Sequence, residues 1–332
     1  VLSGGNLNLK TLTIGGLVKQ VAPGDDIQAA IDAVNREGGG TVQLLAKTYT
    51  LTSNINMKSN VALIGAGRDL TILDFKSSAL GIKIIGIDTS IIQNTKLGDF
   101  TLQNSNNAAG LDIQYCDFWS LNNIRVSSCD QRGLRIKDAN NFLVFNCRFD
   151  NNTNHGLELA SGSTLATERF SVITCTSDVN GGNGFFFNTA QVDGVRNFNF
   201  VDCLAQTNSL DGFDFTTTLS DDMRATFLGC VSDQNSGIGW DIDSTQVRFI
   251  GCSSVDNSTK DWVNNGSLNT FLGCRSTLSS DTILDGDDIS NSDYNVGFSS
   301  RAQAKNIYMK NTSGASLRPG NVVVFKSVAS GD

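Results

Sequence analysis

Apolar and polar residues alternate in short segments between about residue 80 and residue 290, and Asn, Ser, Asp and Gly separate these segments. Because successive side chains of a strand point to opposite faces, each segment predicts a short β-strand with one buried face. After alignment on a leading glycine, the second and fourth positions are apolar throughout, which predicts two internal stacks. The aligned segments are GIKII (81–85), GLDIQ (110–114), GLRIK (133–137), GLELA (156–160), GFFFN (184–188), GFDFT (212–216) and GWDID (239–243).

A cysteine recurs at the same place in six consecutive stretches, at steps of 28, 28, 27, 22 and 22 residues. A period of about 20–50 residues indicates a repeat architecture, and short strands at this period predict a parallel β-helix, an all-β solenoid. Nine residues after each of the first five cysteines comes a glycine or, once, Asp261, which fixes the register of the coils. The cysteines are Cys147, Cys175, Cys203, Cys230, Cys252 and Cys274.

These cysteines stand at inward strand positions between apolar partners. Adjacent coils would place their Cα atoms about 4.8 Å apart, within the range of about 4.4–6.8 Å that a disulfide needs. Reduced thiols are the favoured interpretation because free cysteine is a common small core residue. Disulfide bridges between adjacent coils remain the alternative. Cys116 and Cys129 lie outside the register.

Asparagines recur in the turn before the first strand of each coil, which is the strand that follows the repeat glycine. Asparagine tolerates left-handed backbone and bonds its own main chain, so we interpret these residues as turn formers. They are Asn151, Asn152, Asn180, Asn208, Asn235 and Asn257.

The two ends of the chain differ from the repeats. Residues 24–37 place apolar side chains at helical spacing, with acidic residues in the first turn and three glycines after the end, and residues 41–51 then alternate as a strand. We expect a lead-in strand segment over 1–20, a β-helix domain with a short capping helix over 21–298, and a small β segment over 299–332. That last segment is either a C-terminal cap or the start of a further domain.

The segments GDDIQAAIDAVNREGGGTVQLLAKTYTL (24–51) and NVALIGAGRDLTIL (60–73) resemble the amino-terminal cap of the pectate-lyase-like superfamily. That superfamily contains pectate lyases, polygalacturonases, epimerases and phage tailspikes. The resemblance covers roughly residues 20–290 and implies a right-handed parallel β-helix with polysaccharide, possibly acidic, as its partner. It also implies an extracellular or virion-associated protein, which as a phage tailspike or tail fibre would be a homotrimer and as a secreted enzyme a monomer.

Charge and hydropathy exclude two classes of partner. The chain carries a net charge of −8 with 17% charged residues, so it lacks the basic surface that nucleic acid requires. No apolar run approaches the roughly 18 residues of a membrane span, so we expect no membrane insertion.

Carboxylates and the single histidine share the outer face of the first strands. Glycoside hydrolysis needs two carboxyl groups, about 5–5.5 Å apart for retention or about 6.5–9.5 Å for inversion. At about 4.8 Å per coil, Asp214 and Asp241 are expected near 5 Å and Glu158 and Asp214 near 9.6 Å. A solvated acidic face is the alternative. The catalytic candidates are Glu158, Asp214, Asp241, His155 and Asp211.

Cations and a phenyl ring accompany these carboxylates. The cations either neutralise a sugar carboxylate, as in uronate lyases, or form an ion-pair ladder Asp112–Arg135–Glu158 across neighbouring coils. The ring suits stacking on a sugar. No cofactor is expected, except calcium if the protein is a lyase, and no metal ligand is singled out. The candidate substrate-binding residues are Arg132, Arg135, Lys137, Phe186, Asn188 and Asp243.

Three short motifs resemble those of polygalacturonases, namely NHG (154–156), RIK (135–137) and DGFD (211–214). Their order along the chain differs from that family's order, so its mechanism is not carried over.

Two functions remain open. The first is a glycan hydrolase or lyase, with an epimerase less expected, and the second is a non-catalytic glycan-binding or structural tail-fibre or adhesin module. The longest insertions, 160–169 and 216–223, are expected to wall the same face.

Overall fold

A computed structural model of the chain describes residues 16–78, 81–106, 109–162, 166–188, 194–215, 222–266, 269–276, 282–285, 299–300 and 307–310. The amino-terminal elements are β1 (Leu17–Val21), α1 (Ile27–Arg36), β2 (Gly40–Leu44), β3 (Thr48–Thr50), β4 (Ile55–Asn56), β5 (Val61–Ile64) and β6 (Ile72–Ser78).

The repeating part continues with strands that are mostly short, although three of them are long enough to bend from one side of a coil to the next. They are β7 (Ile82–Ile85), β8 (Ile92–Ser105), β9 (Ala109–Ser127), β10 (Arg132–Phe145), β11 (Arg148–Asp150), β12 (Leu157–Ala160), β13 (Thr167–Ile173), β14 (Thr176–Asp178), β15 (Phe185–Asn188), β16 (Val195–Val201), β17 (Leu204–Gln206), β18 (Phe213–Phe215), β19 (Asp222–Leu228), β20 (Val231–Asp233), β21 (Ile238–Ile242), β22 (Thr245–Ile250), β23 (Ser253–Val255), β24 (Lys260–Asn264), β25 (Thr270–Leu272), β26 (Arg275–Ser276), β27 (Thr282–Asp285), β28 (Ser299–Ser300) and β29 (Ile307–Lys310).

Strands of successive coils pair in parallel and form three sheets around one core. The first sheet runs β4–β7–β9–β10–β12–β15–β18–β21–β24–β27–β29. The second runs β1–β2–β5–β8–β9–β10–β13–β16–β19–β22–β25, and the third runs β3–β6–β8–β9–β11–β14–β17–β20–β23–β26–β28. The predicted parallel β-solenoid is thus confirmed. The described strands of 299–332, β28 and β29, continue the third and first sheets.

The predicted capping helix is α1. Asp26 is its N-cap and accepts a hydrogen bond from the Ala29 N–H, while Ile27, Ala30, Ile31 and Val34 are buried against the first coil. The predicted strand 41–51 is divided into β2 and β3. The hydroxyl of Tyr49 in β3 accepts from the Leu45 N–H between the two strands and donates to the Val21 carbonyl. None of the described helical segments has the length and apolar character to cross a membrane.

The two predicted internal stacks are present in the expected register. Leu134 pairs with Leu157, Leu157 with Phe185, and Phe213 with Trp240. Ring centroids along this stack lie 4.8 Å apart for Phe185 and Phe213 and 3.9 Å apart for Phe213 and Trp240. Offset stacking of this kind adds to the burial of each ring, so the aromatic residues hold successive coils in line.

The eight cysteines are all buried and free. Those of the repeat lie at the bend between the second and third strands of a coil, and not within a strand as expected. Their thiols bond main-chain carbonyls of the preceding coil, as from Cys203 to Val172 at 3.4 Å and from Cys252 to Phe227 at 3.4 Å. Burial also raises the pKa of Cys116 and of Cys129 to about 12, so these groups are thiols at neutral pH.

The recurrent asparagines have a different role from the one we expected. Their side chains point into the core and form a ladder, in which each Nδ2 donates to the Oδ1 of the next coil over 2.8–3.0 Å. The left-handed backbone belongs instead to the preceding residues, for example Val179 and Thr207 with φ of 54° for both. Apart from Asn151, the turn-former interpretation was therefore wrong. The ladder residues are Asn152, Asn180, Asn208, Asn235 and Asn257.

Candidate functional site

One column of side chains crosses the outer face of the first sheet in consecutive coils. The strand register makes each of its members the neighbour of the next, as the alignment on glycine predicts. Its members are Asp112, Arg135, Glu158, Phe186, Asp214 and Asp241. The glycine beside this column leaves no room for a Cβ: at Gly212 an added Cβ would lie 2.1 Å from the Ser232 Oγ.

Three carboxylates converge at one end of this face. One oxygen from each of Asp211, Asp214 and Asp241 lies within 4.8 Å of the other two. The expected proximity of Asp214 and Asp241 is thus present, and Asp211 joins them from the turn before the first strand.

Two of these carboxyl groups, Asp241 and Asp211, have a raised pKa. Burial, followed by the charges of Asp243 and of the other two carboxylates, raises the pKa of Asp241 to about 7. Burial also raises the pKa of Asp211, although the Ile238 N–H donates to its Oδ1. Because neighbouring carboxylates disfavour each other's ionisation, a proton resides on this cluster near neutral pH.

Asn183 connects the cluster to the histidine, and our sequence reasoning did not single it out. It lies in the turn before β15 and is 3% exposed. Its Nδ2 donates to Asp214 over 2.6 Å, its Oδ1 accepts from the Asp211 N–H at 3.0 Å, and its own N–H donates to His155 at 3.0 Å. Its place directly before a repeat glycine, in line with His155 and Asp211, is the signal that could have found it.

His155 is a neutral ring in this environment. Its Nδ1 accepts the Asn183 N–H, so the proton of the neutral imidazole sits on Nε2. Burial, and then the charge of Arg132, lowers its pKa to about 4. The ring stacks on Phe186 of the next coil with centroids 4.3 Å apart, and the two rings form a platform next to Asp214.

The arginines are engaged in ion pairs. Arg135 makes a two-pronged contact with Asp112 at 2.7 and 3.0 Å, which is the first half of the expected ladder. The second half is absent among the described contacts, because Glu158 pairs with Arg132 instead. Glu158 is 2% exposed and also accepts from the Asn188 Nδ2 at 3.1 Å. Burial lowers the pKa of Arg132.

The remaining candidates lie beside this column. Lys137 is the strand neighbour of Gln114 and Ala160, and Asn188 is the next neighbour beyond Ala160. Asp243 accepts from the Asn265 Nδ2 at 2.8 Å. Residues 163–165 of the first expected wall and 216–221 of the second lie outside the described residues.

The carboxylate cluster also has donors suited to a hard cation. Calcium takes about 6–8 oxygen ligands at about 2.3–2.6 Å, and oxygens within 4.8 Å of one another can share such an ion. Asp214 accepts a protein hydrogen bond at Oδ2 from Asn183, and Asp211 accepts one at Oδ1 from the Ile238 N–H. With one oxygen each, Asp211, Asp214 and Asp241 would supply three ligands to a cation and leave the other positions to water or substrate.

The sequence profile of the family described as the right handed beta helix region matches residues 55–221. The chain belongs to this right-handed β-helix family. No curated protein matches it in sequence.

Solved structures of similar fold include several β-helices. The A-module of the mannuronan C-5 epimerase AlgE4 of Azotobacter vinelandii is 19% identical, with a TM-score of 0.54 over 87% of this chain and 90% of that one. Pectate lyase Pel9A is 16% identical, with a TM-score of 0.53 over 92% and 83%. Tailspike gp49 of the Acinetobacter baumannii bacteriophage Fri1, a capsular polysaccharide depolymerase, is 14% identical, with a TM-score of 0.50 over 89% of this chain and 61% of that one. At these identities the likeness shows the right-handed β-helix fold.

Proposed function

We propose that this β-helix cleaves a polysaccharide by hydrolysis on the outer face of its first sheet. The observation that carries the proposal is the convergence of Asp211, Asp214 and Asp241 within 4.8 Å, with the pKa of Asp241 raised to about 7. An acid with a pKa near neutrality and a carboxylate beside it are groups that glycoside hydrolysis can use as its acid and its partner carboxylate.

We assign Asp241 as the general acid and Asp214 as its partner carboxylate. Asp241 donates its proton to the oxygen of the breaking glycosidic bond, and Asp214 attacks the anomeric carbon. Water then releases the sugar from Asp214, and Asp241 regains a proton from that water. One oxygen of Asp214 lies within 4.8 Å of one oxygen of Asp241, which suits the separation of about 5–5.5 Å between carboxyl groups in retaining enzymes.

The other candidates act around this pair. Asp211 raises the proton affinity of Asp241 through its charge. The stacked rings of His155 and Phe186 offer an apolar platform one coil away from Asp214, on which a sugar ring can rest. Glu158 is held by Arg132 and Asn188, so we assign it a positioning role beneath the platform and not a proton transfer.

The solved structures support the class of substrate. The epimerase, the pectate lyase and the depolymerase act on polysaccharides by their names, so we propose a polysaccharide for this chain and an extracellular or virion-associated location. Tailspike gp49 and the ORF18 protein of Geobacillus virus E2 lie among the similar folds. The homotrimer that a tailspike-type member would form stays a prediction.

A calcium-assisted lyase is the second candidate, because the same carboxylates suit a calcium ion. The ion would neutralise a uronate carboxylate, and an arginine or lysine would serve as base. Hydrolysis is favoured since Arg132 and Arg135 are both engaged by carboxylates, which leaves these two guanidiniums poorly placed to take a proton.

A polysaccharide panel tests the proposal. The full chain is incubated with neutral and acidic glycans, with and without EDTA, and reducing ends and absorbance near 235 nm are followed. Hydrolysis predicts new reducing ends without absorbance at 235 nm and without loss in EDTA. Absorbance that EDTA abolishes identifies the lyase, while glycan binding without cleavage identifies the non-catalytic module.

A further inference from the structure

A second column of side chains lies on the outer surface of the second sheet, away from the candidate site. It is apolar in six consecutive coils, and strand pairing makes each member the direct neighbour of the next. We call it the apolar stripe. Its members are Phe145, Ile173, Val201, Leu228, Ile250 and Leu272.

The stripe faces solvent in the isolated chain. Phe145 is 39% exposed and Leu228 and Leu272 are each 44% exposed, while the other members are half-buried. The outward position two residues earlier on each of the same strands is polar after the first coil, as at Asn199, Thr226 and Arg248. A solvated strand face would take polar residues at both positions, so the apolar choice at the stripe needs another cause.

The stripe lies along an edge of the solenoid. The residue after each member bends the chain toward the third sheet, and its φ is positive, as in Thr174 with 50° and Asp202 with 50°. Across this bend, Leu204 and Val231 pair with each other and are half-buried, which widens the stripe at its centre. At about 4.8 Å per coil, the stripe is about 24 Å long.

Its size suits the core of a protein interface. With side-chain surfaces on the order of 150–200 Å², the stripe and the residues across the bend expose roughly 300–500 Å². The largest patch on a typical monomer measures about 300–600 Å² and is often functional. A standard interface buries about 800 Å² on each partner around an apolar core with a polar rim, so the stripe could supply about half, and the flanking polar columns the rest.

The spacing of the side chains along the apolar stripe indicates which kind of partner fits it. We propose that a second copy of this chain covers it, with the two solenoids side by side and stripe against stripe. Both copies then present one apolar side chain about every 4.8 Å. Each side chain can therefore pack between two side chains of the partner along the whole length of the stripe. A helix offers side chains about every 5.4 Å and would lose this register by roughly 3 Å over the five steps.

Sedimentation velocity of the full chain over a range of concentrations tests this pairing. The wild-type protein is expected to sediment as an assembly larger than the 35.5 kDa chain, and Val201→Glu or Leu228→Glu to leave a single chain at the same concentrations. The matched control is Asn199→Glu, which puts the same charge on the same strand and face two residues away and is expected to assemble as the wild type does.

Folding of each variant is checked by the thermal midpoint and by the NMR signal of His155, the only histidine in the chain. Val201→Thr, which keeps the shape of the side chain, serves if the glutamate variant does not fold, and it is expected to weaken assembly at least several-fold. A wild-type protein that stays a single chain at high concentration would overturn the proposal, whatever else binds the stripe. So would a folded Leu228→Glu or Val201→Thr that assembles like the wild type.

Discussion

The imidazole of His155 lies against the ring of Phe186 in the next coil, with centroids 4.3 Å apart and planes 24° apart. The main-chain N–H of Asn183 fixes this orientation through Nδ1. A histidine held in this way acts as a flat neutral surface, which is why we place it in the binding platform and not among the groups that move protons.

The protonation of His155 can be measured directly, because its NMR signal is the only one of its kind in the chain. We expect a pKa of about 4 against the usual 6.5, since burial and Arg132 oppose the charged form. Arg132→Met should raise it. A measured pKa of 6 or more in the wild type would contradict the burial of the ring.

The same group makes stability depend on pH. Its folded pKa of about 4 lies below the unfolded value of 6.5, so between these values the unfolded chain binds more protons. The free energy of unfolding should therefore fall as the pH drops from 6.5 to 4, with no further loss from this group below that. His155→Gln should make the dependence in this window shallower, as urea titrations at several pH values can show; an unchanged slope would be inconsistent with this assignment.

The pKa of Asp241 should determine the alkaline limb of the pH–activity profile. Because the general acid must be protonated, kcat/KM is expected to fall as the pH rises through about 7. The charge of Asp243 helps to raise this pKa, so Asp243→Asn should move the limb to lower pH. A limb that stays in place or moves upward in this variant would count against Asp241 as the acid.

Loss of Arg132 should destabilise the fold more than loss of an exposed arginine. Arg132→Met leaves the 2%-exposed Glu158 without its cation, and breaking a buried pair in this way costs about 3 kcal/mol. Arg196→Met, which breaks the exposed pair with Glu168, should cost under about 1 kcal/mol. Equal losses in chemical denaturation would show that Glu158 is solvated.

The asparagine ladder should be sensitive to a single truncation. Asn208→Ala removes the acceptor of the Asn180 side chain and the donor to Asn235, and a buried polar group left unsatisfied costs about 1–3 kcal/mol. Ser209→Ala, at the adjacent exposed position, should change stability little. Similar thermal midpoints for the two variants would mean that the ladder contributes little.

The sequence predicted the fold through residues that repeat. Alternation around each glycine placed Phe185, Phe213 and Trp240 in one stack, and the structure has them as strand neighbours. Register along a sheet follows from alternation alone, because a slip of one residue would expose every apolar side chain. The same reasoning brought Asp214 next to Asp241.

Contacts that depend on side-chain conformation could not be obtained in this way. Register alone would join Glu158 to Arg135, yet Glu158 forms its ion pair with Arg132, which lies at the start of the same strand β10. The connections of Asn183 arise from a turn whose backbone geometry the pattern does not specify. The cysteines were expected within strands because the two-residue spacing continues through the bend that follows each second strand.

Loss of cleavage on removal of one carboxyl group tests the central claim most directly. On a polysaccharide that the wild type cleaves, Asp241→Asn and Asp214→Asn should each lower kcat by at least about 100-fold, with thermal midpoints near that of the wild type. Asp256→Asn, at an exposed turn next to the third sheet, should cleave like the wild type. Undiminished cleavage by a folded Asp214→Asn or Asp241→Asn would contradict the assignment of the active site to this cluster.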